Sequence, residues 1–398
     1  MDDKKKARSG DVLIHPYEVT SRRLHVLKFA LVFILIAFLI GGMFVLRDQL
    51  TAENLRFLIR DIGFSSPSIG FDTSALSFDY DTSLHAGLYR GDLVLLRRSS
   101  LEITNFSGTR SLSQNVALSS PSLVTGDKYL LAYDIGGTHL GIYNSFSQVY
   151  TEDFPLKIAC ADLADDGTFA VVSAERGYHS ALYVYNNNFK RIYRYATADR
   201  VIYDVSVCKE NPALVAVCAV QAKDGDFLTE VLLFDTTLAE VQKTFSFPSE
   251  MPLELSFETA ARITLLTDSA LHSVDTTGEA HATHAFSSGS LTQFHSDTGY
   301  NVLVRNADII GTGLTVDVVS DASPNETLTF TLQNRVQDIC IADGNVYLLS
   351  HDSLAVYSLA EQTLKTHALE HEYKEILPLS GGRIAFIGEG SASIYMVN

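Results

Sequence analysis

Residues 69–398 read as an all-β domain, an eight-bladed β-propeller with seven blades as the alternative, preceded by one transmembrane helix. Three observations lead there. A turn followed by an apolar run recurs eight times, and a second strand closing on Asn, Asp or Ser follows most of those runs. Near the N-terminus, eighteen residues pass without a charge.

The span comes first in the chain. "FALVFILIAFLIGGMFVL", Phe29 to Leu46, has no polar face, and Val26, Leu27 and the stem of Lys28 extend it to membrane-crossing length. It outruns the apolar core of a cleaved leader and no small-x-small site follows, so it reads as an uncleaved signal anchor. Lys4, Lys5, Lys6, Arg8, Arg22, Arg23 and Lys28 precede it, against Arg47, Arg56 and Arg60 just after. That excess predicts a single-pass protein of the cell membrane with a cytoplasmic N-terminus and an extracytoplasmic remainder. Four regions result: a basic cytoplasmic tail over 1–25, the transmembrane helix over 26–46, a juxtamembrane stalk over 47–68 and the propeller over 69–398. The stalk holds a short helix capped by Thr51.

Beyond residue 48 the chain carries 22 basic and 42 acidic side chains, a formal charge of −20. Such a surface repels nucleic acid and anionic lipid. The four cysteines, Cys160, Cys208, Cys218 and Cys340, sit in apolar strand-like runs, where a thiol packs as a small hydrophobe. Cys208 and Cys218 are symmetric about a turn at Ala213, which leaves open a disulfide across a hairpin. No C-x-x-C pair suggests zinc or redox chemistry.

The repeats set the architecture. Turn-plus-run units appear as "RGDLVLL", "TGDKYLLAY", "DDGTFAVVS", "NPALVAVCAV", "TAARITLLT", "DTGYNVLV", "DGNVYLLS" and "GGRIAFIG". Their spacing, roughly 35 to 50 residues, is blade length. Each run is the expected strand B of a blade. Strand C follows after a loop, closing on pairs such as Ile142-Tyr143 before Asn144 or Leu233-Phe234 before Asp235, where an Asx side chain starts a turn. The last unit ends after its C strand, so "ALSFDYD", Ala75 to Asp81, is expected to supply the missing outer strand and close the ring. In the second unit, "LLAYDIGGTHLGIYNS" contains Asp134-Ile135-Gly136-Gly137-Thr138, a string similar to the phosphate-cradling turn of sugar kinases. Its place between strands B and C makes it a Gly-Gly hairpin turn instead, and no nucleotide partner is expected.

"ADLADDGTFAVVSAE", Ala161 to Glu175, resembles the inner hairpin of WD-repeat-like propellers, with Asp165 where those carry Pro. The order of basic tail, span, "LTAENLR" stalk and propeller resembles an uncharacterised family of Gram-positive membrane proteins, a resemblance that implies no known activity. Quinoprotein propellers are a further comparison, but their repeats carry tryptophan and this chain has none, so no quinone or other cofactor is expected.

Candidate chemistry is sparse. His281 and His284, three apart, fall on opposite faces of a strand, and His367 and His371 stand too far apart there to share an ion. Asp162, Asp165 and Asp166 lack the rhythm of a calcium loop, so no metal site is assigned. No nucleophile elbow occurs, which leaves the chain without a catalytic assignment. The binding candidate is "NNNFKRIYRYATADR", Asn186 to Arg200, where Arg191, Tyr193, Arg194 and Tyr195 interrupt an acidic domain. Alternation places Arg191, Tyr193 and Tyr195 on one face of an outer strand, and Arg and Tyr are the residue types that anchor interfaces. The second candidate face is the long B–C loop "AVQAKDGDFLTE", Ala219 to Glu230. These features predict a binding module for a protein or cell-envelope partner, with an extracytoplasmic hydrolase or lyase on the same fold as the alternative.

Overall fold

The computed structural model describes residues 27–34, 37–38 and 76–396, apart from 224, 239, 279–280, 298, 308–312 and 380. The chain forms two compact units, 1–70 and 71–398. In the first, residues 27–34 and 37–38 are helical and expose their apolar side chains, Phe29 at 74% and Phe38 at 78%. Among the described residues no helix is long and apolar enough to cross a membrane. Most of the expected span and the whole stalk lie outside those residues.

The second unit is a ring of eight four-stranded antiparallel sheets, one per blade. The inner A strands of blades 1 to 8 are His85–Tyr89, Pro121–Thr125, Ile158–Leu163, Val201–Val207, Pro252–Thr259, Leu291–Asp297, Val336–Ala342 and Glu375–Leu379. The B strands are Asp92–Leu96, Leu130–Asp134, Phe169–Glu175, Leu214–Lys223, Arg262–Thr267, Tyr300–Asn306, Asn345–Ser350 and Arg383–Gly388. All eight fall on the repeated apolar runs. The cause is burial from both sides: a B strand lies between two neighbouring blades, so both of its faces need apolar side chains, and Asp92–Leu96 and Leu130–Asp134 are buried at every position. The outer D strands face water and relax that demand. Thr363–Ala368, in blade 7, is exposed throughout.

The core is accordingly divided into eight apolar clusters, one at each seam between neighbouring blades. The largest joins blades 3 and 4, with Val172, Leu182, Val217, Leu232 and Phe234 fully enclosed. The blade 5–6 seam is among the smallest, holding Leu266, Leu271, Leu303 and Val319. There polar side chains add to the contact: Ser296 Oγ donates to Glu258 at 3.2 Å and His284 Nε2 lies 3.2 Å from Asp317.

Ring closure follows the expected route on a smaller scale. Leu76–Ser77 pairs antiparallel with Ser391–Met396, the C strand of blade 8, Leu76 opposite Ala392 and Ser77 opposite Ser391. Phe78 N then donates to Gly390 O at 3.0 Å, and Arg97 of blade 1 donates from Nε to Asp79 O at 2.8 Å. The strand stops short of Asp81 because that side chain accepts from Ser83 N at 3.0 Å and turns the chain into blade 1.

Two expectations change. The stretch Ala219–Glu230 is not a loop: strands B and C of blade 4, Leu214–Lys223 and Asp226–Asp235, remain paired out to Lys223 opposite Asp226. The cysteine symmetry is also displaced, because the A–B register pairs Val207 with Val215 and Asp204 with Cys218. Cys208 and Cys218 therefore do not face each other, and all four thiols are free and buried.

Candidate functional site at the channel mouth

The A strands form the inner edge of every blade, so what they expose lines the central channel. In five consecutive blades the A–B register skips one residue near the start of strand A. The skipped residues are Ala159, Tyr203, Leu253, Thr292 and Gln337, in blades 3 to 7. Blades 1, 2 and 8 pair without a skip. A bulge leaves its extra residue out of the ladder and re-aims it. Here the result, in blades 3 to 6, is an arc of exposed side chains, with Tyr203 at 45% and Leu253 at 52% exposure beside Val201 at 45%. The arc lies at the end of the ring that holds the B–C turns, since Gly136 N, in the B–C turn of blade 2, donates to Ile158 O at 2.8 Å. The long blade 4 hairpin projects at this same end.

In blades 4 and 7 the residue after the bulge points the other way, towards the next blade. Asp204 Oδ2 accepts from Leu255 N at 2.9 Å and Asp338 Oδ2 from Ile376 N at 2.7 Å. Deeper in the channel, Asp162 Oδ2 accepts from Val207 N at 2.7 Å and Ser206 Oγ from Phe257 N at 3.1 Å. An inner edge strand has no ladder partner on its channel side, and these acceptors satisfy the amides left over. Burial pushes Asp204 and Asp338 up to about 6 and Glu375 up to about 7. Glu254 is also pushed up to about 7 by its enclosure in the wall, although its side chain meets channel water. Asp204 and Asp338 thus fasten the wall to the next blade, and each lies near a second raised carboxyl, Glu254 beside Asp204 and Glu375 beside Asp338. A further interacting pair, Glu258 and Asp321, is packed in the blade 5–6 seam with Ser256, Ser296 and Asn301, and Asp321 is only 9% exposed.

The outer-strand candidate is rearranged. Arg191–Thr197 is the D strand of blade 3, as expected, but its register with Tyr178–Tyr185 skips Ile192. Arg191 lies opposite Tyr185 and Tyr193 opposite Val184, so Arg191 and Tyr193 face opposite ways. The tyrosines turn inward: Tyr193 and Tyr195 pack on Phe234 of blade 4, with ring centroids 5.8 and 4.9 Å away. The arginines share the other face, Arg191 lying 5.5 Å over the Tyr183 ring and Arg194 lying 5.6 Å over Tyr178 while pairing with Glu175. Ile192, ejected by the bulge, is 46% exposed.

The remaining sequence candidates resolve into structure. Among the described residues no three His, Cys, Asp or Glu side chains converge as a metal cage. Asp165 and Asp166 hold turn amides, Asp127 N and Thr168 N. A cavity of about 410 Å³ between blades 7 and 8, bordered by His367, Tyr373, Phe386 and Tyr395, lies at the outer edge of the ring. Sequence reasoning missed the channel arc, because a bulge is a property of pairing; the only local trace is an exposed-type apolar residue such as Leu253 directly before an acid.

Comparison with solved structures returns propellers. BamB from Moraxella catarrhalis is 10% identical at a TM-score of 0.53, over 81% of this chain and 98% of that one. The WD40 domain of SCAP from fission yeast is 10% identical at 0.50, over 82% and 96%. Apo AztD from Citrobacter koseri is 9% identical at 0.50, over 73% and 86%. At such identities the likeness is one of fold. No curated protein sequence matches the chain. A family model runs from residue 77 to residue 396, from the closing strand to the end of the last blade, and the chain therefore belongs to DUF5711, a family of unknown function.

Proposed function

We propose that this chain is a single-span membrane protein whose propeller stands outside the cytoplasm and binds a protein or cell-envelope partner at the channel mouth. The observation that carries the reading is the run of five bulges, which turns Tyr203 and Leu253 out of the seams and into open space. Exposed aromatic and aliphatic side chains grouped at one end of a ring are an interaction surface. The projecting blade 4 hairpin adds a wall to one side of that surface. The apolar, exposed helix over residues 27–34 and the basic flank before it support the membrane anchor. The hydrolase reading has less behind it, because Asp162, Asp204 and Asp338 in the channel wall accept from main-chain amides of the next blade.

Site-specific photocrosslinking tests the binding face. A photoreactive residue at Leu253, in intact cells, is expected to give a discrete adduct that Tyr203→Asp suppresses. Equal adducts from Leu364, on the outer strand of blade 7, would sink the assignment. For orientation, a cysteine at Glu326 should react with an impermeant thiol reagent in intact cells, and one at Ser9 should not. The reverse pattern would overturn the topology.

A further inference from the structure

We infer that the outer half of blade 5 holds a divalent transition-metal site built from His272, His281 and Thr283, with Glu250 behind it. The strands place these groups together. His272 lies on strand C, Ala270–Asp275, directly opposite Thr283 on strand D, His281–Ala285. His281 is two residues before Thr283 and so shares its face. The three heteroatoms form a nearly regular triangle: His272 Nδ1 lies 3.0 Å from His281 Nε2 and 3.1 Å from Thr283 Oγ1, and the hydroxyl lies 3.3 Å from His281 Nε2. An ion about 2.1 Å from each nitrogen fits over one face of such a triangle, since cis ligands of a first-row metal stand roughly 3 Å apart at that bond length.

The support behind His272 points the same way. Its Nε2 lies 2.6 Å from Glu250 Oε2, and a carboxylate only accepts, so Nε2 carries a proton and, in the neutral ring that binds metal, Nδ1 offers its lone pair to the triangle. Glu250 is itself held by Thr267 Oγ1 at 2.7 Å. A carboxylate on the far nitrogen of a histidine is the arrangement that orients metal-binding imidazoles. Phe247 packs 4.5 Å from the His272 ring and walls off one side. His272 is 4% exposed, whereas His281 and Thr283 are open to solvent, which gives an ion a way in and water to complete its shell.

Without metal, His281 Nε2–H donates to His272 Nδ1. On binding, His281 shifts to its Nδ1–H tautomer and both lone pairs go to the ion. Two imidazoles and a hydroxyl suit Cu²⁺ most tightly, then Zn²⁺. The spacing of histidines in the sequence gave no sign of it, because the partner of His281 is on the neighbouring strand.

The test uses the full chain in detergent, titrated with Cu²⁺ and followed by electron paramagnetic resonance and calorimetry. One Cu²⁺ per chain is expected, with two equatorial nitrogens. His281→Ala, on the exposed strand, should remove one nitrogen and weaken binding at least tenfold. Glu250→Gln should weaken it roughly ten- to hundredfold with both nitrogens kept. His367→Ala, on the outer strand of blade 7, should change nothing. Absence of binding at micromolar Cu²⁺, or binding that His281→Ala leaves intact, would overturn the site.

Discussion

Ile158 N donates to Gly137 O at 2.7 Å, while Gly136 N donates back to Ile158 O at 2.8 Å, so the B–C turn of blade 2 is stapled to the first residue of blade 3. Asp134 completes the staple. Its Oδ1 accepts from Ser119 N at 3.0 Å and Ser120 N at 2.6 Å, holding the linker that enters blade 2. Ile135 N donates to Ser120 O, Gly136 N to Ile158 O and Gly137 N to Asp134 O, so these three amides of the string are spent on the linker, blade 3 and blade 2 rather than on a phosphate. Gly136 has a φ of +74°, and a Cβ on Gly137 would collide with the Asp134 carboxylate.

Asp134→Ala should therefore destabilise the propeller by about 1–2 kcal/mol in urea, since it removes the acceptor of two part-buried amides. Calorimetry with ATP should show no heat for parent or variant. Micromolar ATP affinity that disappears in Asp134→Ala would return the string to the kinases it resembles.

The channel wall makes stability depend on pH. Asp204 and Asp338, pushed up to about 6, are favoured in the protonated form by folding, so their contribution is full below pH 4 and lost as pH rises through 6. Asp338→Asn keeps the acceptor for Ile376 N and removes the titration. At about pH 3.5, below the unfolded value, it should match the parent, and at pH 8 it should unfold about 2–4 °C higher, after allowance for channel water. Comparing variant with parent at each pH cancels the opposing histidines, His85 and His295, whose burial lowers them. A variant that is less stable at pH 8 would show that the ionised carboxylate is the stabilising form.

Closure rests on few residues. Leu76 and Phe78 pack with Leu93, Leu95 and Ile387 at the blade 8–1 seam, and only two residues extend the ladder. Leu76→Ala with Phe78→Ala should cost roughly 3 kcal/mol or more, as truncations at a seam do. Leu364→Ala, on an exposed outer strand, should be close to neutral. Equal effects would mean that the ring holds without its N-terminal strand.

Legibility in the sequence followed burial. Strand B of each blade is enclosed on both faces, so its apolar run survives in every repeat, and "NPALVAVCAV" and "TAARITLLT" were recognisable without glycine. The short closing strand was legible because the last blade lacked a partner. Bulges were not. One skipped residue inverts every side chain beyond it, and nothing local distinguishes Ile192 from an ordinary strand position. The His272 cluster was hidden for a related reason, since its members come from a linker and two paired strands.

The bulge at Ile192 allows that inversion to be tested directly. Alternation alone would make Arg191 and Tyr193 equivalent surface residues, and changing both to alanine would then leave stability intact. With the observed register, Tyr193 and Tyr195 are seam residues that pack on Phe234, and each truncation to alanine should cost about 2–3 kcal/mol. Arg191→Ala with Arg194→Ala removes only ring-stacked and ion-pair contacts on the open face, worth about 1 kcal/mol together. Urea unfolding of the three variants separates the two registers. If the arginine pair proves as costly as either tyrosine, the face assignment is wrong. If the tyrosines prove costly and the arginines neutral, Arg191 and Arg194 remain available for contact with an acidic partner, and the arginine double variant is the one that can report on binding without disturbing the fold.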